Sequence, residues 1–299
     1  MAVNQTTTRS APTSPSDVTV RRRDLIAGGR RIAFLDAGEG QTPCLLIHGL
    51  AGSSNWWSEN IPALAATRRT IAVDLPGFGA SEGARSYDPT EVVGVLDELC
   101  EQLGLETIDV VGHSLGTLLA IELAFRHPHR LRRLVLTGGP ITSVIGLSRS
   151  PIRTLRRRPK VANFLIEVAT TGIPLPERLR KFIARHPILR MLTLTPYVFN
   201  ARQLEPRFAE LMIAGTGSPG MFPTLARGFR YDAEQAMSGL RCPTLVISGA
   251  QDKIAPIEDL EEFSKREVVE KFVVLDSTGH CAMFEQPDEF HREVLEFLA

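Results

Sequence analysis

Short, mostly apolar runs recur along this chain, and the spacing leaves room for one helix between successive runs. Cys44–Ile47, Thr70–Val73, Ile108–Val111 and Leu134–Leu136 are such runs, and an apolar stretch without alternation suits a strand covered on both faces. Helical patterns fall between them. Trp57–Ala66 is one, limited by Pro62. Another runs from Pro89 to Leu103 with Gly104 just past its end, and Leu115–Phe125 is closed by His127-Pro128. A further strand, Arg31–Asp36, follows the Gly28-Gly29 turn. The rhythm resumes with a strand at Pro243–Ser248, a helix at Ile257–Arg266, a strand at Phe272–Leu275 and a helix at Pro287–Leu298. This alternation predicts an α/β fold: a mostly parallel central sheet with helices on both faces.

Residues 141–236 break the rhythm. They hold no convincing strand, and helical patterns at Val161–Thr170, Glu177–Ala184 and Ala201–Ala214 are separated by Pro and Gly. The segment carries 15 Lys/Arg against 6 Asp/Glu, a charge of +9, and because the whole chain is formally neutral the remainder carries −9. The expected organisation is an acidic α/β core at 18–140 and 237–299 with a basic helical insertion at 141–236. Residues 1–17, rich in Thr, Ser and Pro, read as a disordered tail. A length of 299 residues fits one large domain with an insertion. Overall neutrality gives no global electrostatic case for nucleic acid. No run approaches the roughly 18 apolar residues of a membrane span. The N-terminus shows no basic segment followed by an apolar core, so no signal peptide is expected, and the expected location is cytoplasmic. Cys44, Cys100, Cys242 and Cys281 lie far apart with no CxxC pair, which supports neither a zinc site nor a disulfide framework.

Gly112-His113-Ser114-Leu115-Gly116 fits G-x-S-x-G. The bare pattern is weak, but here it follows a strand and opens a helix. A sharp turn there exposes the serine, and small residues two before and two after it avoid collision. The helix N-terminus then favours negative charge beside the serine. A serine hydroxyl needs a base. His280 is the candidate, in the loop Ser277-Thr278-Gly279-His280 after the strand Phe272–Leu275. The base needs a carboxylate to hold its tautomer. Asp252 is the candidate, in Gly249–Pro256 after the strand Pro243–Ser248; Thr137–Pro140, the competing position, offers no carboxylate. The chain order Ser114, Asp252, His280 is the order expected of such a strand–turn–helix nucleophile. A developing oxyanion needs two N–H donors. Leu115, directly after the nucleophile, and Leu50, in His48–Gly52 after the strand Cys44–Ile47, are the candidates for this oxyanion hole.

With these pieces together, the sequence resembles the α/β-hydrolase fold superfamily. The matching segments are His48-Gly49, Asp74–Ser81, Gly112–Gly116, Gly249–Pro256 and Gly279-His280, spread over residues 18–140 and 237–299. The resemblance implies that residues 141–236 form a cap that shapes substrate choice, and it implies no metal and no organic cofactor. Relatives that are epoxide hydrolases or haloalkane dehalogenases use Asp where Ser114 stands. The Gly-Gly-Gly run of some lipase-like esterases and the Gly-Gly-Pro-Gly turn of proline iminopeptidases are absent. Carboxylesterases, lactonases, thioesterases, carbon–carbon bond hydrolases and cofactor-free perhydrolases remain. The expected activity is serine-esterase-like: cleavage of an ester, lactone, thioester or related small-molecule carbonyl substrate through an acyl-enzyme on a catalytic triad. The alternatives are a lyase, cyclisation or acyl-transfer step on the same site, or a non-enzymatic ligand receptor.

Several residues carry a plainer reading beside the functional one. Ser114 fits a helix N-cap and Asp252 a loop cap. Asp74 is expected to brace its loop and His48 to orient the oxyanion loop. His113, Trp56, Met283 and Phe284 are candidates for substrate binding, each with core packing as the competing role. Trp57 shares that ambiguity, and Cys281 is read as packing. The run Arg156-Arg157-Arg158 with Lys160 offers a contact to an acidic carrier protein or an anionic membrane surface, although a solvated helix face is the default.

Overall fold

The computed structural model describes residues 18–40, 42–140, 142, 150–157, 163, 168, 171–228 and 230–299. The tail at 1–17, Arg158, Lys160 and nearly all of the helix expected at Val161–Thr170 lie outside them.

Gly28 and Gly29 adopt φ of 58° and 67°, a two-residue turn whose twist suits a hairpin. It joins β1 (Arg21–Ala27) to β2 (Arg30–Ala37). The apolar runs become β3 (Cys44–Ile47), β4 (Thr70–Val73), β5 (Ile108–His113), β6 (Leu131–Thr137), β7 (Thr244–Gly249) and β8 (Val269–Leu275). They form one eight-stranded sheet in the order β1-β2-β4-β3-β5-β6-β7-β8. β1–β2 and β2–β4 pair antiparallel, and every later pairing is parallel. β3, β4, β5 and β7 are buried along their whole length, as their unbroken hydrophobicity requires of strands covered on both faces. The order places β3, β5, β6 and β7 side by side, so the loops at their carboxyl ends share one edge.

The crossover helices are α1 (Ile61–Ala65), α2 (Pro89–Gln102) and α3 (Leu115–Arg126). Proline starts helices here more than it stops them. Pro89 opens α2 behind Asp88, whose carboxylate accepts from Thr90 N at 3.0 Å. Pro62 lies in the first turn of α1, and the expected Trp57–Ala66 helix divides into a 3-10 turn at Ser54–Trp57 and this short helix. Between β6 and β7 the described residues form α4 (Pro151–Arg157), α5 (Glu177–Arg185), α6 (Pro187–Leu194), α7 (Pro206–Ala214), α8 (Met221–Gly228) and α9 (Ala233–Ser238), and no strand. The pattern expected to start at Ala201 becomes helical only at Pro206. α5 packs on α6 and α7, while α9 packs on α3 of the core. The core boundary expected at 236/237 therefore falls inside α9. The chain closes with α10 (Ile257–Ser264), α11 (Ala282–Glu285) and α12 (Pro287–Leu298).

Candidate active site

The strand β5 runs directly into α3 through Ser114, whose φ of 52° and ψ of −117° turn the chain sharply. The flanking glycines are obligatory on steric grounds. A Cβ at Gly112 would lie 2.5 Å from Gly116 O, and one at Gly116 would lie 2.3 Å from Ile47 O. Ser114 N donates to Thr137 O at 3.0 Å, tying the turn to the end of β6. Leu115 N–H belongs to the first turn of α3, where no intrahelical acceptor exists.

Asp252 and His280 come together from the ends of β7 and β8. Asp252 Oδ1 accepts from Ile254 N at 2.8 Å and Ala255 N at 2.9 Å, which fixes the carboxylate. Its Oδ2 lies 2.8 Å from His280 Nδ1. An ionised carboxylate only accepts, so Nδ1 carries the proton and Nε2 is left as the basic nitrogen. Both side chains are almost fully buried. Gly138 and Gly139, after β6, fill the space between the base and the serine turn. A Cβ on Gly138 would meet the His280 ring at 3.0 Å, and one on Gly139 would lie 3.3 Å from Ser114 O.

His113 is packed against the same ring, with centroids 4.8 Å apart, and its Nε2 lies 3.0 Å from His280 O. That acceptor requires Nε2–H. Burial, reinforced by the neighbouring His280, holds the His113 pKa well below the usual histidine value. A neutral His113 therefore braces the base loop. His48 is likewise neutral, its pKa lowered chiefly by burial. Its Nδ1 donates to Gly49 O at 2.7 Å, and its Nε2 accepts from Leu75 N at 3.0 Å. These bonds pin the Gly49–Gly52 turn. A Cβ on Gly49 would lie 3.0 Å from Ser114 Cβ, so the turn carrying Leu50 passes directly beside the serine. Asp74 accepts from Ser54 N at 2.6 Å and Ala80 N at 2.9 Å, bracing its loop.

A cavity of about 250 Å³ lies against the turn that carries Leu50; Ser114, Asp252, His280 and His113 are not among the residues that line it. Leu50, Ala51 and Trp56 form its core side; Leu175, Ile183, Leu194 and Met212 of the insertion close it. Thr171, Thr193, Thr216 and Tyr197 are its polar lining residues, and no charged side chain lines it among the described residues. Trp56 donates from Nε1 to Leu211 O at 3.2 Å, anchoring it under the insertion. Phe284 lies behind Trp56, centroids 5.8 Å apart, and Met283 and Trp57 are buried in the core; none of the three lines the cavity. Cys281 is buried as well, and no disulfide joins the cysteines.

Sequence patterning does not single out Glu285. Its Oε1 accepts from Gly279 N at 2.9 Å and its Oε2 from Phe199 N at 2.6 Å, so one carboxyl clamps the base loop to the insertion. His280 N donates to Tyr197 O at 2.8 Å in the same clamp. Burial pushes the Glu285 pKa up to about 7, and Asp252 adds to the rise; the N–H donors of Phe199, Gly279 and Cys281 oppose it. The available signal was a lone carboxylate five positions after His280 in an otherwise apolar stretch.

The geometry has parallels in known proteins. The sequence model of the alpha/beta hydrolase family matches residues 44–293. The chain is 30% identical to a 2-hydroxymuconate semialdehyde hydrolase of Pseudomonas sp. strain CF600, with 93% of each chain covered. It is 32% identical to a 2-hydroxymuconate semialdehyde hydrolase of Pseudomonas putida, covering 93% of this chain and 94% of that one. Among solved structures, a carboxylesterase from Bacillus subtilis superposes with a TM-score of 0.70 at 20% identity, over 96% of this chain and 94% of the other. A meta-cleavage product hydrolase from Pseudomonas fluorescens IP01 gives 0.68 at 23% identity, over 92% and 97%. At such identities the superpositions speak for the fold alone.

Proposed function

The chain belongs to the alpha/beta hydrolase family, and from that premise we propose that it is a serine hydrolase acting on an ester-type carbonyl with an uncharged, apolar acyl group. The observation that carries this reading is the 2.8 Å contact of His280 with Asp252 beside the strained turn of Ser114. Ser114 Oγ attacks the carbonyl carbon while its proton passes to His280 Nε2. Asp252 stabilises the imidazolium that results. The carbonyl oxygen becomes negative and takes hydrogen bonds from Leu115 N–H and Leu50 N–H. Collapse expels the alcohol or thiol, which takes the proton from His280. Water then attacks the acyl-enzyme by the same steps and releases the acid. Residues 141–236 act as the cap over the acyl cavity.

The apolar lining supports the choice of acyl group. At about 250 Å³ the cavity sits near the low end of ligand sites, which run roughly 300–1,000 Å³. The relatives' 2-hydroxymuconate semialdehyde is the second reading. It bears a carboxylate, and no cationic side chain lines the cavity among the described residues to receive it. A panel of esters, lactones, thioesters and 2-hydroxymuconate semialdehyde separates the two. Neutral short and medium esters are expected to give the highest kcat/KM; preference for the semialdehyde overturns the ester reading. In ¹⁸O-labelled water the released acid must carry one solvent oxygen, which a lyase or cyclase would not produce. Ser114→Ala is expected to lose about 10⁴-fold or more in kcat and to escape fluorophosphonate labelling while keeping its fold. Unchanged turnover in that variant ends the acyl-enzyme proposal.

A further inference from the structure

The helical insertion exposes apolar side chains where a solvated surface would place polar ones. Ile188, Met191 and Leu192 point outward from α6, with Leu192 68% exposed, while Arg190 and Leu194 of the same helix face in. A surface helix normally turns a polar face to water; α6 turns Ile188, Met191 and Leu192 to it. On α5, Ile183 and Ala184 face in, but Leu179 and Phe182 are exposed. The Phe182 ring lies 5.9 Å from that of His186, at the junction of the two helices, so the exposed side chains of α5 and α6 neighbour one another. Ile173 is 60% exposed and also lines the cavity, so the cavity reaches the surface within the insertion. Clustered exposed apolar groups of this kind mark a contact surface.

Charge identifies the contact. The insertion holds +9 against −9 for the rest of the chain. Arg178 and Arg185 flank the apolar side chains of α5 and make no ion pair among the described residues, whereas Lys181 is paired with Glu177 at 2.5 Å. Apolar residues beside exposed arginines on a short helix match an interface of hydrocarbon and anionic headgroups. A two-fold pairing with a second copy through this face would bring the exposed Arg178 and Arg185 of the two copies together. An acidic carrier protein would satisfy the arginines but leaves the breadth of apolar surface on α6 unaccounted for.

We propose that the outer face of α5 and α6 docks the protein on an anionic lipid surface. Ile183, Thr193 and Leu194, on the same two helices, line the cavity. The cavity then lies one helix diameter, about 10 Å, from the lipid, and apolar esters enter it from the bilayer without crossing water. The docking is independent of the chemistry at Ser114.

The test is flotation of the full chain with vesicles of phosphatidylcholine alone or phosphatidylcholine mixed with phosphatidylglycerol, using wild type and Ser114→Ala. Both proteins are expected to float with the anionic vesicles, less at high salt, and neither with the neutral ones. Ile188→Ser/Leu192→Ser is expected to lose at least tenfold in binding while hydrolysing a water-soluble ester as wild type does. Arg178→Gln and Arg185→Gln are each expected to lose about fivefold. Absence of wild-type flotation overturns the proposal. So does an oligomer in sedimentation that the Ile188/Leu192 variant dissociates, which assigns the face to a second copy. Binding to a purified acidic carrier protein without vesicle binding overturns it in favour of that partner. Loss of activity in Ser114→Ala bears only on the catalytic reading.

Discussion

Ser114 occupies backbone space, φ 52° and ψ −117°, that non-glycine residues avoid at a cost of roughly 1–3 kcal/mol. The surroundings enforce it through Ser114 N to Thr137 O and through the close approach of Gly116 to Ile47 O. Strain of this kind predicts that Ser114→Gly is more stable than Ser114→Ala by about 1 kcal/mol in urea denaturation, with both inactive. Equal stability would mean that the turn is unstrained. Glu285 makes a second prediction. Its folded pKa of about 7 lies above the unfolded 4.5, so the native state holds this proton more tightly. The resulting stabilisation is complete below pH 4.5 and is lost as pH rises through about 7. Unfolding free energies of wild type relative to Glu285→Gln should therefore fall across that window, and a difference independent of pH rejects the assignment. The contact of Asp252 with His280 was legible in the sequence because each lies in a short turn segment that follows an apolar run, as Ser114 does after Ile108–Val111. Glu285 was not, because one of its partners, Phe199, lies 86 positions away.

At the scale of elements, what the sequence showed depended on burial. The fully buried β3 and β4 have the boundaries that their apolar runs predict. β1 has no such run: Arg21-Arg22-Arg23-Asp24 is exposed, and only its pairing with β2 makes it a strand. α6 and α8 are hidden by the same logic, because their short sequences begin or break at proline and are held by neighbours. Arg190 is one such hold. It is 6% exposed and donates to Ala184 O at 2.7 Å and to Arg202 O at 2.9 Å, closing the C-terminus of α5 and the loop after α6. Arg190→Met is expected to cost about 2 kcal/mol, because charged hydrogen bonds are lost and buried carbonyls are left without donors. Hydrogen exchange should accelerate across Glu177–Leu194 and stay unchanged in β5. Uniform acceleration would show instead that the insertion and the sheet unfold as one unit.

The molecule as a whole divides its tasks between the two edges of the sheet. Ser114, Asp252 and His280 follow the carboxyl ends of β5, β7 and β8, the edge where open α/β sheets hold their ligands. The opposite edge holds the chain together. Asp109, near the start of β5, is fully buried and pairs with Arg68 at 2.7 Å and with Arg132 at 2.7 Å. Both guanidinium groups also donate to Leu298 O, and Arg133 donates to Phe297 O, so the end of α12 is docked on this cluster. None of this was visible from hydrophobic patterning: Asp109 interrupts an apolar run, and its partners Arg68 and Arg132 come from two distant segments. Removing the carboxylate leaves two arginines packed against each other with only carbonyls to meet them. Asp109→Ala is therefore expected to lose about 3 kcal/mol of stability, read by denaturation. Its kcat per active site, counted by fluorophosphonate titration at a temperature where the variant is folded, should equal that of wild type. A fall in kcat per titrated site would show that the two edges are coupled through β5, and the separation of stability from chemistry would fail.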